Sequence, residues 1–252
     1  MNMSIKCFLF VSAVFCSLMA SACHTSAAET KSNGIPLTYA PQHAKALSAQ
    51  SPDESWIRAK SVTYWETAGQ KQATVHLYLD NSQKSIEDAD VYAYLEQDGT
   101  WYEIGLVGSY GLEDVNIHAV DRTSDGLSEI EITGGLGAAY MQMTLLRYRP
   151  EKQEWLQVLQ MGSPEYADLD GDGSQELIAV SRGSLPPYVY VYRWNGNQFE
   201  MADIAQSAGM DYAMLLQQDG VYTIETGKWE NNEHQDRRIF SFKSGNLVES
   251  SE

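Results

Sequence analysis

From Trp56 onward, apolar and polar residues alternate in short runs rich in β-branched and aromatic side chains, such as Thr74 to Leu79, Val91 to Leu95 and Tyr188 to Tyr192. A period of two sends successive side chains to opposite faces of an extended chain, so each run predicts a strand. Gly, Asn and Asp clusters between the runs supply the turns. No sustained helical period follows residue 55, and Ile204 to Leu216 is the one ambiguous window. The pattern is that of an all-β domain.

The first 55 residues are patterned differently. Lys6 precedes an apolar run from Cys7 to Ala20, shorter than the roughly 20 residues of a membrane span but suited to the apolar region of an export signal. Ala20, Ser21 and Ala22 stand directly before Cys23. This resembles the bacterial lipoprotein cleavage box, although Ala20 stands where that box usually has Leu. The resemblance implies a signal peptide over 1–22 and a lipidated Cys23 as the mature N-terminus; the alternative is ordinary signal cleavage and secretion. Residues 23–55, rich in Ala, Ser, Thr, Lys and Gln, predict a flexible tether with a short helix near Pro41 to Gln50.

Within 56–252 the alternating runs repeat. Asp125-Gly126, Asp172-Gly173 and Asp219-Gly220 are spaced by 47 residues twice over, and a strand-like segment follows each pair, beginning at Glu129, Glu176 and Thr223. A hairpin signature comes later in each unit. Val91 to Trp101 fits the tail of an earlier, degenerate unit. About four repeats of ~47 residues, each with about four strands, predict a β-propeller or propeller-like array. The alternative is a β-sandwich with two Asp-Gly hairpins equally spaced by chance.

Asp168 to Glu176 reads Asp-Leu-Asp-Gly-Asp-Gly-Ser-Gln-Glu. Its oxygen donors fall at alternate positions: Asp168, Asp170 and Asp172, the Ser174 carbonyl, then Glu176. Such spacing wraps a hard cation that takes six to eight oxygens. Gly173 supplies the sharp turn. The twelfth position, where an EF-hand carries its bidentate Glu, is Ala179, and no helices flank the loop, so the EF-hand reading fails. Asp121, Thr123, Asp125 and Glu129 form a weaker second copy, with Thr in place of the middle carboxylate and Arg122 adding positive charge. The alternative for both loops is Asp residues that only make Asx turns.

This loop with an apolar strand behind it resembles the FG-GAP or VCBS repeats of integrin α-chain propellers and of many secreted bacterial proteins. The resemblance covers about three quarters of the chain. It implies a β-propeller with Ca2+ held in the blade loops, where it orders a turn. An exported protein meets calcium at levels that fill even sites of about 10⁻⁴ to 10⁻³ M affinity.

Charge narrows the choice of partner. The 34 acidic and 17 basic residues give a net charge of -17, which disfavours nucleic acid and anionic lipid surfaces as main partners. The three cysteines, Cys7, Cys16 and Cys23, all lie in the first 23 residues, so packing, hydrogen bonds and metal must hold the domain rather than disulfides.

The remaining motifs carry less chemistry. Gly134 to Ala139 follows a strand but lacks the Lys-Ser or Lys-Thr of a phosphate loop. The five histidines share no zinc-ligand spacing, and no Gly-x-Ser-x-Gly is present. Tyr188, Tyr190, Tyr192 and Trp194 alternate at period two, which favours packing between sheets over a sugar-stacking platform. Arg182, Tyr188, Trp229 and His234 lie on equivalent repeat loops and are candidates for a shared binding rim. The leading expectation is therefore a non-enzymatic, lipid-anchored, calcium-binding surface module whose rim meets an extracellular protein or polysaccharide. The competing expectation is a secreted hydrolase or lyase acting on cell-wall or extracellular polymer, using acid and base groups among Glu131, Glu165, His118 and His234.

Overall fold

The computed structural model describes residues 34–65, 72–80, 89–137, 139–181 and 183–250. The signal, Cys23 and the tether up to residue 33 lie outside the described residues. The described chain begins with four very short strands, β1 (Ile35–Pro36), β2 (Tyr39–Pro41), β3 (Lys45–Ala46) and β4 (Ser48–Ala49). Four antiparallel meanders of four strands follow. The first sheet contains β5 (Ile57–Trp65), β6 (Gln72–Leu79), β7 (Val91–Gln97) and β8 (Thr100–Gly108). The second contains β9 (Asn116–Val120), β10 (Glu129–Gly137), β11 (Tyr140–Arg149) and β12 (Glu154–Gly162). The third contains β13 (Pro164–Ala167), β14 (Glu176–Val180), β15 (Val189–Trp194) and β16 (Phe199–Asp203). After a short helix, α1 (Ile204–Ala208), the fourth contains β17 (Tyr212–Gln218), β18 (Val221–Glu230), β19 (Glu233–Lys243) and β20 (Asn246–Glu249).

Each sheet gains a fifth strand from the N-terminal segment, in reverse order: β1 pairs with β20, β2 with β16, β3 with β12 and β4 with β8. Residues 35–49 are thus a strap along the last strand of every sheet, not the tether and helix that their composition predicts. Leu37, Gln42, Leu47 and Gln50 donate backbone N–H groups to the carbonyls of Gly245, Phe199, Trp155 and Trp101 in turn. The reason is physical. Strands of two or three residues contribute backbone groups to a sheet edge and leave most side chains in water, so they need no apolar alternation. Covering four otherwise open edges also blunts pairing with other chains.

Alternation builds the rest as expected. In β6, Val75 and Leu77 point to one face, and the register Val75 to Leu95 and Leu77 to Ala93 joins them to like residues of β7. Three buried clusters link consecutive sheets: Val75, Leu95 and Ile132 join the first to the second, Leu145, Leu177 and Phe199 the second to the third, and Ile178, Val191 and Phe240 the third to the fourth. Tyr190, Tyr192 and Trp194 belong to the middle cluster, the packing role read for their alternation. The ambiguous window splits into α1 and β17. Asp203 caps the helix by accepting from the Gln206 N–H, and Gly209 ends it in the left-handed region at φ 68°.

The 47-residue spacing acquires a structural meaning here. Asp125-Gly126, Asp172-Gly173 and Asp219-Gly220 each lie between the first and second strands of their sheets.

Candidate metal loop and rim groove

The connections β9–β10 and β13–β14 share one hydrogen-bonded frame. In the second of these, Asp168 accepts from the N–H groups of Asp172 at 3.1 Å and Gly173 at 3.0 Å. Asp172 accepts from Ser174 N–H at 2.7 Å, and Glu176 accepts from Leu169 N–H at 2.7 Å. In the first, Asp121 accepts from Asp125 at 3.3 Å and Gly126 at 2.9 Å, Asp125 from Leu127 at 3.1 Å, and Glu129 from Arg122 N–H at 2.9 Å. Every bond recurs 47 residues on. Clustered short carboxylates that turn onto their own backbone generate this fold locally in both loops.

What fills the two frames differs. Arg147, on β11, enters the first loop: Nη1 donates to Glu129 at 3.1 Å and to Thr123 at 3.2 Å, and Nη2 pairs with Asp125. Thr123 in turn donates to Glu129 at 3.2 Å. Glu129 is fully buried, at 0 % exposure. Its burial pushes the carboxyl above the ordinary 4.5, against the lowering effects of Arg122 N–H and Arg147. Burial also works against ionisation of Asp125, but the Arg147 bond and charge, with Leu127 N–H and Thr123, together outweigh it and hold that carboxyl below its ordinary value.

The corresponding arginine of the other loop turns away. Register pairs Leu177 with Tyr192 and Ile130 with Leu146, which puts Arg193 opposite Glu176 as Arg147 is opposite Glu129. Arg193, however, binds Glu200 at 2.9 Å through Nε and stacks over Tyr39 of the strap at 3.6 Å. Among the described residues no Lys or Arg pairs with Asp168, Asp170, Asp172 or Glu176. Oxygens of Asp168, Asp170 and Glu176 instead lie within 4.8 Å of one another, the one such convergence of acidic or metal-ligating side chains among the described residues. Burial raises the Glu176 carboxyl; Leu169 N–H lowers it, and Asp170 and Asp172 raise it further. Asp170 also reaches the fourth sheet, accepting from Ser244 N–H in the β19–β20 turn at 3.1 Å. Asp172 is exposed and is not part of the converged trio.

The expected rim residues divide. Tyr188 lines a groove at the β10–β11 and β14–β15 connections, together with Tyr140, Ser163 and Ser184. Trp229 and His234 do not. They are register partners on β18 and β19 and pack with Tyr212 around Glu225, which Tyr212 Oη contacts at 2.8 Å and Arg237 pairs with. Arg182 lies outside the described residues. Gly134 of β10 answers a packing demand, since a Cβ there would come within 1.9 Å of the Val107 carbonyl oxygen on β8.

Of the four acid–base candidates, His118 and Glu131 are cross-strand partners in the second sheet, Glu165 lies on β13 and His234 on β19. Glu131 is buried and bonded to Arg122 Nε and Tyr166 Oη, both at 2.7 Å. The four are not brought together in one cavity.

Sequence reasoning missed Arg147 and Tyr140. The signal for Arg147 was hairpin register, which requires the turn between β10 and β11 to be placed first. No family model, no curated protein and no solved structure matches this chain.

Proposed function

We propose that the chain is an exported, calcium-binding surface module, anchored through a lipid on Cys23, whose four sheets act as the blades of a propeller-like array of the FG-GAP or VCBS kind. Its rim serves as a binding face for an extracellular protein or polysaccharide. The observation that carries the metal reading is the contrast between the two matched loops: one holds a guanidinium, and the other converges three carboxylates with no Lys or Arg among the described residues paired to them. Four like charges in nine residues repel one another unless a cation joins them. The donors are all oxygen, as calcium prefers. Asp168, Asp170 and Glu176 would hold the ion, with Asp172 and the Ser174 carbonyl as the further donors the spacing supplies. The ion's contribution is structural: it neutralises the loop that Asp170 ties to the β19–β20 turn, and so stiffens the join between the last two sheets.

A calcium titration followed by thermal unfolding tests this. Saturation at about 100 times the dissociation constant adds about 2.7 kcal/mol, which raises the midpoint of a domain this size by about 5–10 °C. A midpoint unmoved by calcium and by chelator would remove the metal from the account.

A further inference from the structure

Three cavities of ≈ 420, ≈ 280 and ≈ 370 Å³ adjoin at one end of the sheets. Tyr140 and Ser163 are common to the first and second, and Ser184 and Tyr188 to the second and third, so the three form one continuous trough. Phenol rings stand along it. Tyr140 is 44 % exposed, and its ring rests on the backbone of Gly162, where a Cβ would come within 2.5 Å of it. Tyr188 stacks on Tyr190 with ring centres 4.7 Å apart and planes at 16°, and Tyr190 is packed into the core between the second and third sheets. Rings propped by backbone and core present ready-made faces with little rotamer entropy left to lose.

The polar groups select among ligands. Asp114 lines the first cavity and Glu165 the third, with Ser163 and Ser184 between them. No Lys or Arg is among the described residues lining the trough, and the chain carries a net charge of -17. The net charge of the chain disfavours anionic polymers. A neutral sugar ring offers what the trough can take: a C–H face to lie on a phenol ring, and hydroxyl donors for carboxylate and serine oxygens. A continuous channel with rings spaced along it suits a chain of such units better than a single one.

We infer that this trough binds a linear, neutral polysaccharide, stacked on Tyr140 and Tyr188. The inference rests on the reading of the chain as a binding module and names the ligand class of its rim.

Affinity electrophoresis of the full chain tests it, in gels containing mixed-linkage β-glucan, xylan, galactomannan or dextran, each with calcium or chelator. Polygalacturonate gels provide the anionic control and a fluorescent oligolysine peptide the cationic one. Retardation by at least one neutral polymer is expected, insensitive to salt. Tyr140→Ala and Tyr188→Ala should each weaken it about tenfold, with Tyr140→Leu and Tyr188→Leu, which keep an apolar side chain and remove the ring, as second variants should either of those fail to fold. No retardation by any neutral polymer, retardation unchanged in the folded Tyr140 and Tyr188 variants, or binding confined to polygalacturonate or oligolysine would each overturn the inference. Retardation that persists in chelator, without a calcium-dependent midpoint, removes the metal and keeps the trough; a calcium-dependent midpoint without retardation does the reverse.

Discussion

The loops 121–129 and 168–176 are the same device finished in two ways. Their backbones are tied by four equivalent carboxylate bonds, offset by 47 residues. In the first, Thr123 replaces a carboxylate and Arg147 reaches in from β11. In the second, Asp170 restores the carboxylate, and Arg193, at the matching register position, is drawn off by Glu200 and Tyr39. One loop carries its cation in the covalent chain; in the other, on the proposed reading, a bound ion takes that place. The comparison shows that one backbone frame is finished differently in its two copies, and that a distant cross-strand residue decides whether a guanidinium enters the loop.

The largest effect that would break this comparison is expected from Arg147→Met. The arginine side chain is 15 % exposed and Glu129 is 0 % exposed, so removing the guanidinium leaves a buried carboxylate without its charge partner. Losing one member of a buried pair costs about 3–5 kcal/mol. The pH dependence follows from the raised carboxyl of Glu129. A carboxyl raised on folding binds more protons in the native state, so its contribution is present below the ordinary 4.5 and is lost as pH rises through the folded value. Loss of Arg147 raises the carboxyl further, and the destabilisation should be smaller near pH 4 than at pH 7. Urea unfolding at the two pH values measures it; a loss under about 1 kcal/mol at both would mean that the guanidinium does not compensate Glu129.

Exchanging the fillings is the next test. Asp170→Thr copies the first loop's chemistry into the second and should abolish the calcium-dependent midpoint, while in chelator it should change stability by under about 1 kcal/mol. The reverse exchange, Thr123→Asp with Arg147→Met, should give a second calcium site, read as a stoichiometry of two by isothermal titration. If Asp170→Thr left the calcium response intact, the converged trio would not be the site, and if the double variant bound only one ion, the frame alone would not specify cation space.

Legibility followed the physics of each feature. The strands of the four sheets announce themselves because their side chains are sorted between two faces, as in β6 and β15. The loop at 168–176 was legible because its donors lie in nine consecutive residues. The strap was not: Lys45, Ala46, Ser48 and Ala49 are exposed and are held by backbone bonds that leave no trace in composition. Arg147 was hidden for a different reason, since its partner Glu129 is 18 residues away and meets it only through the register of a hairpin. The expected rim residues part in the fold. Equivalent loops pointed to Tyr188, but Trp229 and His234 were claimed by Glu225, a buried acid whose need for partners the alternation of β18 conceals.

The smallest expected effect sharpens the comparison most, because it asks whether the two frames are energetically alike before anything fills them. Gly126 and Gly173 occupy the same turn position with φ of 82° and 90°, and a Cβ at either would meet nothing within 4 Å. Alanine at either site therefore pays only for a left-handed backbone, about 1–2 kcal/mol. In chelator, Gly126→Ala and Gly173→Ala should lower stability by the same amount. In calcium they should part: Gly126→Ala keeps its cost, whereas Gly173→Ala also disturbs the turn that brings Asp168 and Asp170 together, and so loses part of the calcium-dependent rise. Equal costs with and without calcium would mean that the ion does not depend on this turn, and unequal costs in chelator would mean that the frames differ in more than their filling.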